Sequence, residues 1–354
     1  MERVFMKGNE AIAEAAVRAG CRFFAGYPIT PQNEIPEYMA RRLPEVSGHF
    51  VQGESEIASV NMVYGAAAAG VRAMTSSSSP GISLKSEGIS YLAGAELPAV
   101  IVNVTRGGPG LGSIQAAQMD YLQAAKAPGH GGFRMLVYAP ATVQEAVDCT
   151  GLAFRKAEEY QSPVLVCADG CIGAMMEAVT LPEMKEAAPM KLRFFAAEAA
   201  GEKRLVVTSL LTPDETQEEF NRQKAALYEK WEREEVLWEE YQVEDAQIVI
   251  AAYGVTARIA KTAIAMVRKE GIRAGLIRPI TLYPFPYAAF DRLDYSRVRQ
   301  VLCAEMSIPC QVIEDVRVGV ANRAPISTVL HSGGVLFTAE DIADGVRALY
   351  RKEG

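Results

Sequence analysis

Four short stretches of this sequence gather side chains that can hold a proton or grip an anion. In Gly26-Tyr27-Pro28-Ile29-Thr30-Pro31 a single hydroxyl, Thr30, stands between two prolines, which restrict the backbone and so fix where that hydroxyl points. Gly53-Glu54-Ser55-Glu56 brings two carboxyl groups to the start of a helix-compatible run. Ser76 to Ser79 form a serine run closed by Pro80-Gly81, and Thr105-Arg106-Gly107-Gly108-Pro109-Gly110 sets a guanidinium beside a glycine loop. Each has an ordinary explanation. A glutamate at a helix start complements the helix dipole, a serine turn can cap a helix, and Arg106 can pair with a surface carboxylate. The weight lies in their common address.

That address follows from the elements around them. Short β-rich runs alternate with helical stretches, as in βαβ units of a parallel sheet. Strands are expected at Phe23–Tyr27, His49–Gln52, Arg72–Ser76, Ala99–Thr105, Met135–Ala139 and Pro163–Ala168. Helices are expected at Glu54–Ala69, Gln115–Lys126 and Thr142–Glu159, the last opened by Thr142 with Glu145 three residues on, a capping-box spacing. The fold class is α/β: a doubly wound parallel-sheet domain followed by a smaller α/β domain with strands at Ala246–Tyr253, Gly275–Ile280, Gln300–Glu305 and Ile326–Ser332. Between them a segment from Thr212 is dense in Glu, Lys, Arg and Gln and reads as a solvated linker helix bridging two domains, with a surface for another subunit as the alternative. In a parallel sheet, loops and helix N-termini at the carboxyl ends of the strands face one crevice. All four stretches fall on that edge.

Composition narrows the class. At 354 residues the chain exceeds the ~100–200 residues of one domain, and with 49% hydrophobic and 22% charged residues it has a large core. A net charge of −7 argues against nucleic acid or an anionic membrane surface as partner. There is no apolar stretch of membrane-spanning length, and the first residues lack a signal-peptide core, so a cytoplasmic location is expected. The six cysteines are scattered and mostly inside apolar runs, where thiols behave as small hydrophobes. Cys167 and Cys171 form the one close pair and do not supply the four ligands of a zinc or iron–sulfur site. Three dispersed histidines do not suggest a metal cage, and His130 in Pro-Gly-His-Gly-Gly reads as a turn residue.

Three strings, "KGNEAIAEAAVRAGCRFFAGYPITPQNEIPEYMA", "GESEIASVNMVYGAAAAGVRAMTSSSSPGISLKSEGISY" and "ELPAVIVNVTRGGPGLG", resemble the α subunit of 2-oxoacid:ferredoxin oxidoreductases. These are thiamine-diphosphate enzymes that oxidatively decarboxylate 2-oxoacids to acyl-CoA. The flavour is nearest the 2-ketoisovalerate subtype, with the 2-oxoglutarate and pyruvate subtypes close by. The resemblance implies a pyrimidine-binding thiamine-diphosphate domain over residues 1–211, a charged linker helix over 212–243, and a transketolase-C-terminal-like domain over 244–354.

It also implies roles. Glu56, rather than Glu54 two residues earlier, matches the glutamate that hydrogen-bonds N1′ of the cofactor's aminopyrimidine and favours the tautomer that takes the thiazolium C2 proton. Thr30 matches a threonine near the 2-oxoacid's carbonyl and carboxylate. Arg106 matches an arginine that clamps substrate carboxylate, a task suited to a planar fork. Tyr27, Pro28, Ser78 and Ser79 would line the cofactor side. One family element is missing: the Gly-Asp-Gly…Asn stretch that grips magnesium and diphosphate, for which the nearest string is Ala168-Asp169-Gly170, with no asparagine until Asn221. No metal site is therefore expected in this chain. Mg²⁺ and the diphosphate would belong to a β subunit, iron–sulfur clusters to a ferredoxin-like subunit passing electrons to ferredoxin, with a γ subunit alongside. Coenzyme A would be the co-substrate, with no residue assigned to it here. Two other readings stand beside this one: a non-catalytic scaffold or regulatory subunit, and a nicotinamide-dependent dehydrogenase using the Gly107–Gly112 loop, for which Asp120 lies too near to bind a ribose.

Overall fold

The structure is a computed structural model and describes residues 2–185, 190 and 207–351. The first part runs β1 (Glu2–Lys7), α1 (Gly8–Arg18), β2 (Phe23–Gly26), α2 (Glu34–Glu45), β3 (His49–Gln52), α3 (Glu56–Ala68), β4 (Ala73–Ser77), α4 (Ser79–Gly94), β5 (Val100–Gly107), β6 (Ser113–Ala116), α5 (Tyr121–Ala125), β7 (Leu136–Tyr138), α6 (Val143–Tyr160), β8 (Val164–Asp169), α7 (Gly170–Ala174) and β9 (Met176–Leu181). The second runs α8 (Asp214–Glu234), β10 (Trp238–Tyr241), β11 (Ile248–Ala251), α9 (Gly254–Lys269), β12 (Ala274–Pro279), β13 (Thr281–Tyr283), α10 (Tyr287–Asp291), β14 (Gln300–Glu305), α11 (Ile313–Val320), β15 (Ile326–Leu330) and α12 (Ala339–Arg351).

The larger sheet has the order β13-β7-β8-β5-β4-β2-β3, with β6 paired to β5. Strands β3, β2, β4, β5, β8 and β7 are mutually parallel, and β13 adds an antiparallel edge. The central strands β4, β5 and β8 are buried along their whole length, as a sheet covered on both faces requires. The chain steps outward from β2 to β3, then returns to place β4 on the other side of β2. Such a reversal of strand order opens a crevice at the carboxyl ends of the strands beside it. The smaller sheet, β10-β12-β11-β14-β15, is parallel apart from β10.

The expected α/β fold is the observed one, with local departures. Gln115–Lys126 is not a helix. Ser113–Ala116 turns back after the glycine loop to pair antiparallel with Arg106 and Gly107, and helix resumes only at Tyr121. The Ser76–Gly81 stretch, read from the sequence as a turn, runs into helix α4, which is not among the expected helices; Pro80 in its first turn fits a helix start, where a missing N–H costs nothing. The charged helix α8 is not simply solvated: Trp231 is fully buried, with its ring 5.4 Å from that of Tyr160. The nicotinamide reading fails on topology, because its glycine loop must open a helix, whereas Gly108–Gly112 opens β6. Among the described residues no helix is long and apolar enough to cross a membrane.

One glutamine locks the two sheets together. Gln118 is buried; its Nε2 donates to Tyr253 O (2.9 Å), while its Oε1 accepts from Thr256 Oγ1 (2.8 Å) and Met306 N (3.1 Å). Its backbone N–H donates to Met306 O at 2.9 Å, and its carbonyl accepts from Tyr253 OH at 3.1 Å. Asp169 completes the junction, accepting from Ile172 N (3.1 Å) on its own side and Val255 N (2.9 Å) across it. Both rely on Gly254, whose φ is +55° and where a Cβ would come within 2.6 Å of Asp169 Oδ2 and 2.8 Å of Gln118 Nε2. Gln118→Leu keeps the volume but strands two buried donors and one acceptor, a cost on the order of 3 kcal/mol. Denaturant unfolding of that variant is expected to show the loss; an unchanged midpoint would mean that the junction is held elsewhere.

Candidate functional site

The four stretches converge where β2, β4 and β5 end, and the reasons are local. Ser55 caps α3, accepting from Ala58 N at 3.2 Å, so the helix begins at Glu56 and not at Glu54. Glu54 is consequently exposed, while Glu56 is buried, with 6% of its surface accessible. Its carboxyl lies against Gly81 in the first turn of α4: a Cβ built there would fall 2.7 Å from Glu56 Oε1, 3.0 Å from its Cγ, and on top of Ser77 Oγ. Glycine at this one position lets the carboxyl approach the backbone at the start of α4.

The proline corner is fastened from behind. Gln32 is fully buried; its Nε2 donates to Tyr27 O (3.2 Å) and its Oε1 accepts from Ser76 Oγ (2.5 Å), joining the corner to β4. Asn9 Nδ2 donates to Pro31 O at 2.8 Å and to Glu34 Oε2 at 2.8 Å. Tyr27 and Pro28 are exposed on the outer side of the corner, and Thr30 is half-buried.

Arg106 is buried at the end of β5 and holds two loops: NH1 donates to Thr30 O (2.8 Å) and NH2 to Leu111 O (3.1 Å). The arginine and the threonine therefore meet through Thr30's carbonyl. Ser79 is engaged with the same strand, its hydroxyl accepting from Arg106 N at 3.0 Å. Asp120, bonded by Asn103 Nδ2 at 2.8 Å, has its carboxyl pushed up by burial, against the pull of hydrogen bonds from Ser79 and Asn103 and the charge of Arg106.

A lysine that sequence reasoning passed over lies under Glu56. Lys85, on α4, is completely buried; its Nζ is 2.9 Å from Thr75 Oγ1 and 3.4 Å from the Glu56 carbonyl oxygen. Burial draws its ammonium down to about 8, partly offset by the negative charge of Glu56. No sequence signal marks this lysine, and none marks Gln32 or Asn9.

Several polar atoms at this edge are buried without a hydrogen-bond partner among the described residues: the hydroxyls of Ser77 and Ser78 and Nε of Arg106. Unpaired buried polar groups are costly and point to a ligand that completes them. Beside a recessed carboxyl they make a donor and acceptor set suited to a flat, nitrogen-containing ring, which is the chemistry of an aminopyrimidine. A magnesium site is a different matter. Asp169 has its oxygens bonded to two backbone N–H groups, and burial raises its carboxyl to about 6. Among the described residues no group of three His, Cys, Asp or Glu is arranged to hold a metal ion.

Comparison with known proteins shows the family of the chain. A family model described as "Pyruvate flavodoxin/ferredoxin oxidoreductase, thiamine diP-bdg" matches residues 14–247, and one described as "Pyruvate:ferredoxin oxidoreductase core domain II" matches residues 246–342. The chain is 46% identical over 348 residues to ketoisovalerate oxidoreductase subunit VorB of Methanothermobacter thermautotrophicus, covering 98% of each. It is 36% identical to 2-oxoglutarate synthase subunit KorA of Methanocaldococcus jannaschii, covering 98% of this chain and 100% of that one. A solved structure of 2-oxoglutarate:ferredoxin oxidoreductase from Magnetococcus marinus, with 2-oxoglutarate, coenzyme A and succinyl-CoA bound, superposes with a TM-score of 0.86 at 27% identity. That match spans 98% of this chain and 65% of the other. A split-gene transketolase shares the fold at a TM-score of 0.57 and 15% identity.

Because Gly81 leaves no room for a methyl group beside Glu56 and Ser77, Gly81→Ala is expected to swing the Glu56 carboxyl out of its recess, with an overpacking cost of ~1–3 kcal/mol. A crystal structure of the variant and its melting curve check this. A Glu56 side chain unmoved in the variant would show that the glycine does not set its position.

Proposed function

The chain belongs to the thiamine-diphosphate-dependent 2-oxoacid:ferredoxin oxidoreductase family, and we propose that it is the subunit of such an enzyme that presents Glu56 to the cofactor and Thr30 and Arg106 to a branched 2-oxoacid. The observation that carries the reading is the recess itself: a buried carboxyl against Gly81, flanked by the orphaned hydroxyls of Ser77 and Ser78.

When bound, thiamine diphosphate supplies a carbon nucleophile that adds to the 2-oxoacid carbonyl and carries the acyl fragment once CO2 has left. The residues of this chain do the rest. Glu56 holds a proton at a ring nitrogen of the cofactor, in a site dry enough for that proton to be shared rather than lost to water. Ser77 and Ser78 offer hydroxyls to the same ring, with Tyr27 and Pro28 on the outer side of the corner. Arg106, already bonded to Thr30 O, orients the threonine and offers its unengaged guanidinium N–H groups to the substrate carboxylate. Ser79 positions Arg106 through its backbone.

The substrate proposed is 2-ketoisovalerate. Identity to the ketoisovalerate subunit exceeds that to the 2-oxoglutarate subunit, and the loop that Arg106 holds and the strand after it carry the exposed apolar side chains Leu111 and Ile114, which suit an aliphatic chain better than a second carboxylate. The two helices that meet at the recess also carry exposed apolar side chains, Ile57 and Met62 on α3 and Leu84 on α4. Such a patch fits a protein partner. The proposed partner is a β subunit carrying the diphosphate and Mg²⁺, in an assembly with a γ subunit and an iron–sulfur subunit that reduces ferredoxin, coenzyme A taking the acyl group.

Co-expression with the partner subunits, followed by ferredoxin or viologen reduction assayed across several 2-oxoacids with coenzyme A, tests the reading. Glu56→Gln is expected to assemble normally and lose at least ~100-fold in kcat, the scale of a lost acid–base step. Wild-type turnover in that variant would remove Glu56 from the mechanism, and a preference for 2-oxoglutarate would remove the branched substrate. Arg106→Ala is expected to raise KM for the 2-oxoacid by about 10- to 100-fold, the worth of a charge-assisted pair. An unchanged KM would make Arg106 a loop fastener alone.

A further inference from the structure

We propose that Gly334, in the turn that follows β15 of the smaller sheet, is a positioning residue for the β5–β6 hairpin, and through that hairpin for the Arg106 guanidinium that receives the substrate carboxylate. The inference rests on the reading of Arg106 given above and extends it to a residue of the second domain.

The hairpin has an interrupted ladder. Arg106 pairs with Ala116 and Gly107 with Ser113, so Ile114 and Gln115 have no opposite number on β5. A bulge of this kind bends the strand and re-aims its side chains, and it gives up ladder bonds that would otherwise hold the strand in place. Arg106 fastens the loop at one end, donating to Leu111 O at 3.1 Å. The bulge itself rests on the second domain. A Cβ built on Gly334 would overlap Gln115 Cβ and fall 3.0 Å from its Cγ and 3.3 Å from Ser113 Oγ; one built on Gly107 would fall 3.4 Å from Gly333 Cα. Only a residue without a side chain lets the turn come this close to the bulge.

The turn is itself firmly held. Val335 N donates to Ser332 O at 3.2 Å, closing a turn whose central residues Gly333 and Gly334 have φ of +65° and +96°, the signs of a type I′ turn. His331 N donates to Glu305 O at 3.3 Å, and beyond the turn Phe337 is buried with its ring 4.5 Å from that of His331. Met119 ties turn and hairpin together, its sulfur accepting from Gly108 N at 3.3 Å and from Ser332 Oγ at 3.4 Å. A methyl group at position 334 therefore has to push the bulge away, since the turn cannot retreat. The loop from Gly108 to Gly112 moves with the bulge and carries Leu111 O away from Arg106 NH2. The guanidinium then keeps one of the two carbonyl bonds that orient it.

Variants of the assembled complex separate this contact from backbone strain. Gly334→Ala adds a methyl that meets Gln115, whereas Gly333→Ala adds one at a left-handed position where it meets nothing within 4 Å. In a crystal structure Gly334→Ala is expected to show residues 108–116 displaced. Its KM for the 2-oxoacid is expected to rise about tenfold, the worth of one hydrogen bond to a charged group, with kcat and thiamine diphosphate affinity within about twofold of wild type. Gly333→Ala is expected to lower the melting temperature and keep the wild-type KM. Combining Gly334→Ala with Gln115→Gly moves the methyl across the contact and is expected to return the hairpin and KM close to wild type, a coupling that strain alone does not produce. Should Gly334→Ala not assemble, Gln115→Gly alone removes the contact from the other side and is expected to speed amide exchange across residues 108–116. A hairpin unmoved in Gly334→Ala, exchange unchanged in Gln115→Gly, or a raised KM that Gly333→Ala shares and Gln115→Gly does not relieve would each overturn the proposal. If Arg106→Ala kept the wild-type KM, the reading of the site would fall, and the crystal structures would still decide the positioning by themselves.

Discussion

The site depends on taking one carboxyl group out of water and keeping it there. Glu56 begins α3 because Ser55 caps the helix, and it stays buried because Gly81 leaves a space where any other residue would place a methyl. Burial alone disfavours a charged carboxyl. The recess that holds it is walled by Gly81 at the start of α4, with Lys85 bonded to the Glu56 carbonyl from below. The result is a carboxyl largely shielded from solvent at the carboxyl-end edge of the sheet. The proline corner, the serine run and Arg106 are arranged about that group by hydrogen bonds to backbone: Gln32 to Tyr27, Asn9 to Pro31, Arg106 to Thr30.

The second sheet contributes rigidity to the same edge. Gln118 and Asp169 lie just past the ends of β6 and at the end of β8, and both spend their polar atoms on the backbone of the smaller sheet and its connections. Tyr121 and Lys126 reach Asp315 in the same way, at 2.5 and 2.6 Å. The loop after β5 is thereby clamped from both sides, since Arg106 holds its tip at Leu111 and Gln118 anchors its return. This also accounts for the Ala-Asp-Gly string, which resembles a metal motif in sequence while its aspartate serves as a helix cap and a tie between sheets.

How much of this was legible in the sequence depended on the range of the interaction. The buried strands of the larger sheet read clearly as apolar runs, and Thr142 with Glu145 opens α6 as its spacing promised. Helix α4 was hidden because its serines and glycines carry little periodicity, although Pro80 in the first turn was a usable sign. Residues Ser113–Ala116 were hidden for the opposite reason: a hairpin return onto β5 overrides a helix-compatible composition. The roles expected of Glu56, Thr30 and Arg106 came from the resemblance of the motifs around them to a family, and burial separates Glu56 from its neighbour Glu54. Lys85, Gln32, Asn9 and Gln118 could not be named, because each acts on a residue distant in sequence, and a single chain of letters does not display which distant backbone groups need a partner.

The central claim is that Glu56 reaches the cofactor's pyrimidine ring. It is tested most directly by a high-resolution structure of the assembled complex with thiamine diphosphate bound. The account predicts a Glu56 carboxyl oxygen within hydrogen-bonding reach of a ring nitrogen, about 2.6–3.2 Å, with the hydroxyls of Ser77 and Ser78 facing the same ring. A cofactor seated elsewhere, or a Glu56 side chain turned toward solvent with the ring in place, would contradict it.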